Sequence, residues 1–341
     1  MRIARVMTLA AALAVTAAAT AAAQAPAGRV CVFVPGVVSG SPIYEQLVAG
    51  AKRAVAEVPG STLKVIEAGF NQAEWLGKLN SLAATGEFSL IVSSNPALPD
   101  LCAQAAASFP KARFFVADAW MPGSPGIHTV LYNQLEQGYI VGYLAGLVTA
   151  GGLPGLPAAH KAGLVVAQRY PTLDKLIAPG FERGLKAADP KASLETREIG
   201  NWYDATKASE LAAGLMDAGA TVLLPIAGGA GQGVVSAAKA RSRAALWFDG
   251  DGYALAPGTI IGCAVLRQER LVYEKVKALL AQGPGSRLYG SAEVVDAKGG
   301  YVDFDGQGAA YKALPQALRS SFEAQLDKLR SGSLGLAVSG L

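Results

Sequence analysis

The sequence predicts an α/β protein made of two doubly wound parallel-sheet lobes, and three observations lead there. Short apolar runs recur without polar interruption, stretches of ten or more residues with helical patterning separate them, and the alternation restarts after a Pro/Gly-rich break at 122–126. A strand buried on both faces needs apolar side chains on both sides, so it reads as a continuous run rather than an alternating one. Parallel strands also need crossovers about as long as the intervening stretches.

In chain order, the strand-like runs are 30–34, 63–66, 90–92 and 114–117 before the break, then 164–167, 222–226, 244–248 and 260–265. The helical stretches are 42–56, 72–84 and 99–108, then 136–150, 173–188, 205–218, 232–240, 268–281 and 318–330. One sheet of all these strands would be oversized, and two lobes fit better. The helix at 136–150 carries Gly138, Gly142 and Gly146 four residues apart. In a bilayer that spacing is a dimerisation face, but the helix is too short to span one. Close packing of the helix on a sheet is expected instead, at about 1 kcal/mol of helix propensity per Gly.

At the N-terminus, Arg2 and Arg5 precede an uncharged run, 6–23, made mostly of Ala, Leu and Val. This is the layout of a secretory signal peptide, residues 1–23, with cleavage expected after Ala23 and a second acceptable site after Ala25. Export to the periplasm follows. The three cysteines are too few for a disulfide scaffold. Cys31 and Cys263 lie in apolar runs and Cys102 in a helical one, as small buried residues would, with a single disulfide left open. A net charge of +4 without a Lys/Arg cluster gives no nucleic-acid footprint.

Catalytic constellations are not evident. The two histidines, His128 and His160, stand at no metal-ligand spacing, no metal site or cofactor is expected, and no Gly-x-Ser-x-Gly elbow occurs. The stretch 227–233 follows a strand and opens a helix, yet it misses the Gly-x-Gly-x-x-Gly register because position 234 is Val. It can be a tight turn whose amides face a polar ligand, or simply a place where the backbone passes closely.

Several segments resemble one family in the right order. Pro225-Ile226-Ala227-Gly228-Gly229-Ala230-Gly231-Gln232-Gly233-Val234 is similar to Ala-Gly-Gly-Thr-Gly-x-Gly-Val of the BMP (basic membrane protein) family of ABC transporter substrate-binding proteins, which includes purine nucleoside receptor-like lipoproteins. The stretch 132–145 resembles its Phe-x-x-x-Glu-x-x-Tyr-Leu-x-Gly helix. Gly180-Phe181-x-x-Gly184 and Trp247-Phe248-Asp249-Gly250-Asp251 resemble two further segments.

The resemblance implies the type I periplasmic binding protein fold, with three crossovers between the lobes and a ligand cleft at the carboxyl ends of the strands. The expected lobes are 29–131 with 250–283, and 132–249 with 284–341. The implied ligand-binding residues are Ser41, Ile43, Tyr44, Ser94, Asn95, Trp120, Tyr132, Trp202, Leu224, Ile226, Gly228, Phe248 and Asp249. Asp118 falls within the expected cleft lining at 118–120. Where the family carries an acidic run with an aromatic after its first strand, 35–44 has no acid, and Ile43 and Tyr44 stand in place of the Phe and Asn. A ribose needs acceptors for its hydroxyls. A purine-like nucleobase is therefore expected, handed by a monomeric, non-enzymatic binder to an ABC permease in the inner membrane. A nucleoside, or a periplasmic sensor role feeding a receptor, stands as the alternative.

Overall fold

The computed structural model describes residues 28–339. The expected leader, 1–23, lies outside the described residues. The chain runs β1 (Arg29–Val34), α1 (Pro42–Ala56), β2 (Thr62–Glu67), α2 (Trp75–Ala84), β3 (Leu90–Ser94), α3 (Leu98–Ser108), β4 (Phe114–Ala117) and β5 (Ile127–Tyr132). It continues through α4 (Gln134–Leu147), β6 (Lys161–Val166), α5 (Ala178–Ala188), β7 (Ser193–Glu198), α6 (Ala205–Asp217), β8 (Val222–Ile226), α7 (Gly231–Ala240), β9 (Ala244–Asp249) and β10 (Ile260–Leu266). The last elements are α8 (Gln268–Gln282), β11 (Ala292–Val295), β12 (Val302–Asp305), α9 (Ala309–Lys312) and α10 (Gln316–Arg330).

Two six-stranded sheets result, ordered β11-β5-β4-β3-β1-β2 and β12-β10-β9-β8-β6-β7. Every pairing is parallel except β10 with β12. β1, β3 and β4 are buried at nearly every position, as their unbroken apolar runs require, and so are β8 and β10.

The expected lobe boundaries need correction. The 250–283 segment was assigned to the first lobe, but β10 inside it is hydrogen-bonded between β9 and β12 of the second sheet. Residues 284–341 were assigned to the second lobe, but β11 pairs with β5 of the first. Only α8 of the former segment returns to the first lobe, against α1, where Gly50 has no room for a Cβ beside the Glu269 carbonyl and Val272. The chain therefore crosses after β5, after β10 and after β11.

The crossovers are tied to one another. The Asn133 amide donates to the Val295 carbonyl (2.7 Å) and the Asn133 side chain to the Leu336 carbonyl (2.7 Å). The buried Glu136 accepts the Ala297 amide at 2.8 Å. Burial lifts its carboxyl to about 7, against the lowering effect of that hydrogen bond.

The glycine stripe of α4 meets a helix rather than a sheet. A Cβ on Gly138, Gly142 or Gly146 would run into the backbone of Ile177, Phe181 or Leu185, and one on Gly180 or Gly184 into that of Leu135 or Tyr139. The expected helix-on-sheet contact is thus a reciprocal α4–α5 contact, with backbone pressed on backbone. Among the described residues no helix is long and apolar enough to cross a membrane. Cys31, Cys102 and Cys263 are all free and buried, and burial pushes the thiols of Cys31 and Cys263 up to about 12.

Candidate functional site

Two carboxylates, one from each sheet, define the site. Asp118 directly follows β4 and Asp249 ends β9; both hold the left-handed backbone, at φ 53° and 68°. Among non-glycine residues Asp tolerates this region well, though at a cost of about 1–2 kcal/mol each. Strand ends under such strain point their side chains away from the sheet's regular alternation. Burial lifts the Asp118 carboxyl to about 7, with the charge of Asp249 as the second cause. It lifts Asp249 to about 6, tempered by a hydrogen bond from Gln137 Nε2 at 3.0 Å. Among the described residues no cation contributes to either shift. Desolvation of Asp118, together with the charge of Asp249, favours its protonated form.

Beneath them, Gln268 organises the first lobe. Fully buried as the first residue of α8, its Oε1 accepts from Ser94 Oγ (3.1 Å) and from Tyr132 Oη (3.5 Å). Its Nε2 donates to the Ile43 carbonyl (2.6 Å) and its backbone amide to Gln46 Oε1 (3.2 Å). One side chain thus joins the ends of β3 and β5 to the start of α1. Ser41 caps that start through its backbone, its carbonyl accepting the amides of Tyr44 (3.0 Å) and Glu45 (2.9 Å).

Aromatic groups surround the acids. Tyr44 donates to the Pro35 carbonyl (3.2 Å) and accepts from Asn95 Nδ2 (3.4 Å); burial raises its phenol to about 12. The phenols of Tyr132 and Tyr170 are raised well above their usual value, by burial first and then by the charges of both Asp118 and Asp249. Tyr132 and Tyr170 thus lie within reach of both acids, and Tyr44 within reach of Asp118. Trp202 stands beside Tyr170, ring centres 6.0 Å apart, with its Nε1 donating to Gln168 Oε1 at 3.0 Å. Gly228, exposed and at φ 53°, lies under the same indole: a Cβ there would sit 3.4 Å from Trp202 Cε3. The 228–233 segment is thereby a close-approach turn, fastened by the Ala230 amide on the Trp202 carbonyl (3.1 Å).

The remaining expected residues are apolar and packed. Leu224 is the middle residue of β8 and fully buried in the apolar core with Val222 and Leu246; Ile226 and Phe248 are nearly so. Trp120 packs with Leu131, Leu135 and Leu176 in a separate small cluster. Conversely, Gln137, Tyr170 and Gln268 join the site without having been singled out from sequence. A Gln in the first turn of a helix carries no pattern that distinguishes it from a solvated one.

The arrangement is rich in acceptors. Asp118 Oδ1 and Gln137 Oε1 are enclosed yet have no hydrogen-bond partner, and such groups are costly unless something donates to them. The lobes meet at the rim, where a Cβ on Gly250 would lie 3.0 Å from Pro42 Cβ. Among the described residues no group of three or more His, Cys, Asp or Glu is placed to hold a metal ion.

Comparison with known proteins bears on the family and the fold. The chain is 26% identical over 169 residues to the CD4+ T-cell-stimulating antigen of Listeria monocytogenes, a stretch covering 50% of this chain and 44% of that protein. It is 24% identical over 168 residues to the ABC transporter nucleoside-binding protein BmpA of Lactococcus lactis, covering 49% and 45%. The chain thus spans less than half the length of the curated relatives it matches. In fold it is similar to an ABC transporter solute-binding protein of Aeropyrum pernix, with a TM-score of 0.75 at 18% identity over 90% of this chain and 92% of that one. Residues 27–331 match the Bmp family, described as ABC transporter substrate-binding protein PnrA-like, a family of solute binders and not of enzymes. On that match, which takes in both sheets and all three crossovers, the chain belongs to the Bmp family of PnrA-like substrate-binding proteins.

Proposed function

We propose that this protein is the periplasmic capture component of an ABC importer, a monomer that delivers a small planar heterocycle, a purine nucleobase foremost, to a permease in the inner membrane. The observation that carries the reading is the Asp118–Asp249 pair, one acid at a strand end of each sheet, beside the enclosed acceptors Asp118 Oδ1 and Gln137 Oε1 that lack donors. A base with ring N–H and exocyclic amino groups supplies those donors, and its faces suit the indole of Trp202 and the neighbouring phenols. Capture then exchanges water for charge-assisted hydrogen bonds in a desolvated cleft. The lobes, joined by three crossovers, can close over the ligand as hinged binders do.

A nucleoside is the second reading, favoured by the name of the Lactococcus relative. Against it, 35–44 offers no acid to receive ribose hydroxyls. A thermal-shift screen of nucleobases, nucleosides, sugars and amino acids tests the proposal. A ligand at about 100 times its Kd adds about 2.7 kcal/mol of stability. Stabilisation by bases and not by nucleosides is expected; stabilisation by sugars or amino acids alone refutes the ligand class, and product formation refutes the role. Export is checked by mass spectrometry of the periplasmic fraction, where the mature chain should begin at Gln24.

A further inference from the structure

At the opposite end of the second lobe lies a hollow of about 440 Å³ at the amino ends of β9 and β10. Five residues of strand at about 3.3 Å each put its Ala244 wall roughly 17 Å from Asp249, so it is no part of the cleft. Its lining combines the apolar Leu153, Leu156 and Ile261 with Lys239, Arg243 and Thr259. No Asp or Glu lines it.

The charges there are left over. Arg241, two residues away, is paired with Asp217, whereas Lys239 and Arg243 have no carboxylate partner among the described residues. Lys239 lies in the last turn of α7, where a cation offsets the negative helix end. That role does not extend to Arg243. Its Nε is enclosed and without an acceptor, and its Nη1 makes only a 3.5 Å hydrogen bond to the Arg241 carbonyl. Arg243 lines the hollow, and an anionic oxygen there can accept from its guanidinium.

We infer that this hollow is a second binding site, for the anionic oxygens of a phosphate group, held by Arg243 and Lys239, with the apolar lining residues receiving the body that carries the anion. The phosphate belongs either to a free solute or to a lipid headgroup, and the same residues serve both.

The test uses the full mature chain. Amide NMR spectra are recorded during titration with sodium phosphate at constant ionic strength, with chloride as the control. Saturable shifts confined to 153–156, 239–244 and 258–261 are expected. Arg243→Gln should weaken phosphate binding about tenfold, the loss expected for one charge-assisted hydrogen bond, while binding in the cleft is retained. Lys239→Gln, an exposed change with little risk to folding, should weaken it less. Sedimentation with phosphatidylglycerol vesicles, against phosphatidylcholine, distinguishes the sources: co-sedimentation lost in Arg243→Gln assigns a lipid headgroup, and its absence beside saturable phosphate binding assigns a free solute. Shifts that chloride reproduces, or that both variants retain at full strength, overturn the inference.

Discussion

Replacing Asp249 with Asn should move stability and binding in opposite directions. Burial raises the Asp249 carboxyl from 3.8 to about 6. An acid whose folded value is raised binds its proton more tightly in the native state, so it costs stability as pH climbs from the unfolded value through the folded one. At about 1.4 kcal/mol per pH unit, the ionised Asp249 costs the empty protein on the order of 3 kcal/mol above pH 7, and nothing below about pH 4. Asp118 feels the same charge, so its own penalty shrinks when Asp249 is neutralised. The unliganded Asp249→Asn protein should therefore melt several degrees higher at pH 8 and unchanged at pH 4. Its affinity for the tightest-binding base should fall roughly 10- to 150-fold, the worth of one hydrogen bond to a charged group. Calorimetric melting at the two pH values and titration calorimetry at pH 8 read both effects. Equal melting temperatures at pH 8 together with unchanged affinity would show that Asp249 is a solvated turn residue and refute the reasoning.

Glu136→Gln keeps an acceptor for the Ala297 amide but removes an acid whose value is raised to about 7; urea unfolding should show the variant more stable at pH 8 and unaltered at pH 4. Gly142→Ala gains about 1 kcal/mol of helix propensity but drives a methyl into the Phe181 backbone, so a net loss of about 2 kcal/mol is expected by chemical denaturation. Trp202→Ala should lower the melting temperature of the empty protein, since the indole packs on Tyr170 and donates to Gln168, and should weaken base binding about tenfold by calorimetry; unaltered affinity would remove the indole from the site.

The buried strands were legible because parallel strands covered on both faces must be apolar throughout. The α1 boundaries, 42–56, agree with the sequence expectation residue for residue. The strands absent from the expectation are those whose composition answers to something else. β5 is fully buried yet contains His128 and Thr129, and the edge strand β7 reads SLETRE, half in solvent. β11 and β12 are four residues each, and their place depends on where the crossovers return. That same dependence misassigned 250–266 and 284–295. At the site, Asp249 stood out as an acid ending an apolar run, whereas Asp118 was one lining residue among several. Its significance comes from lying within reach of the Asp249 charge, a relation between two sheets that no local pattern encodes.

The glycine contact between α4 and α5 bears on how capture could be signalled. Helices whose backbones touch have no layer of side chains to shear, so they behave as a single rigid spar along the second lobe. Gln137, which donates to Asp249, is mounted on that spar within one turn of Glu136, which grips the third crossover. A ligand that reorients Asp249 therefore pulls on a lever rather than on a soft core. Adjacent residues of α4 thereby tie Asp249 to the crossover segments at 133–137 and 295–297.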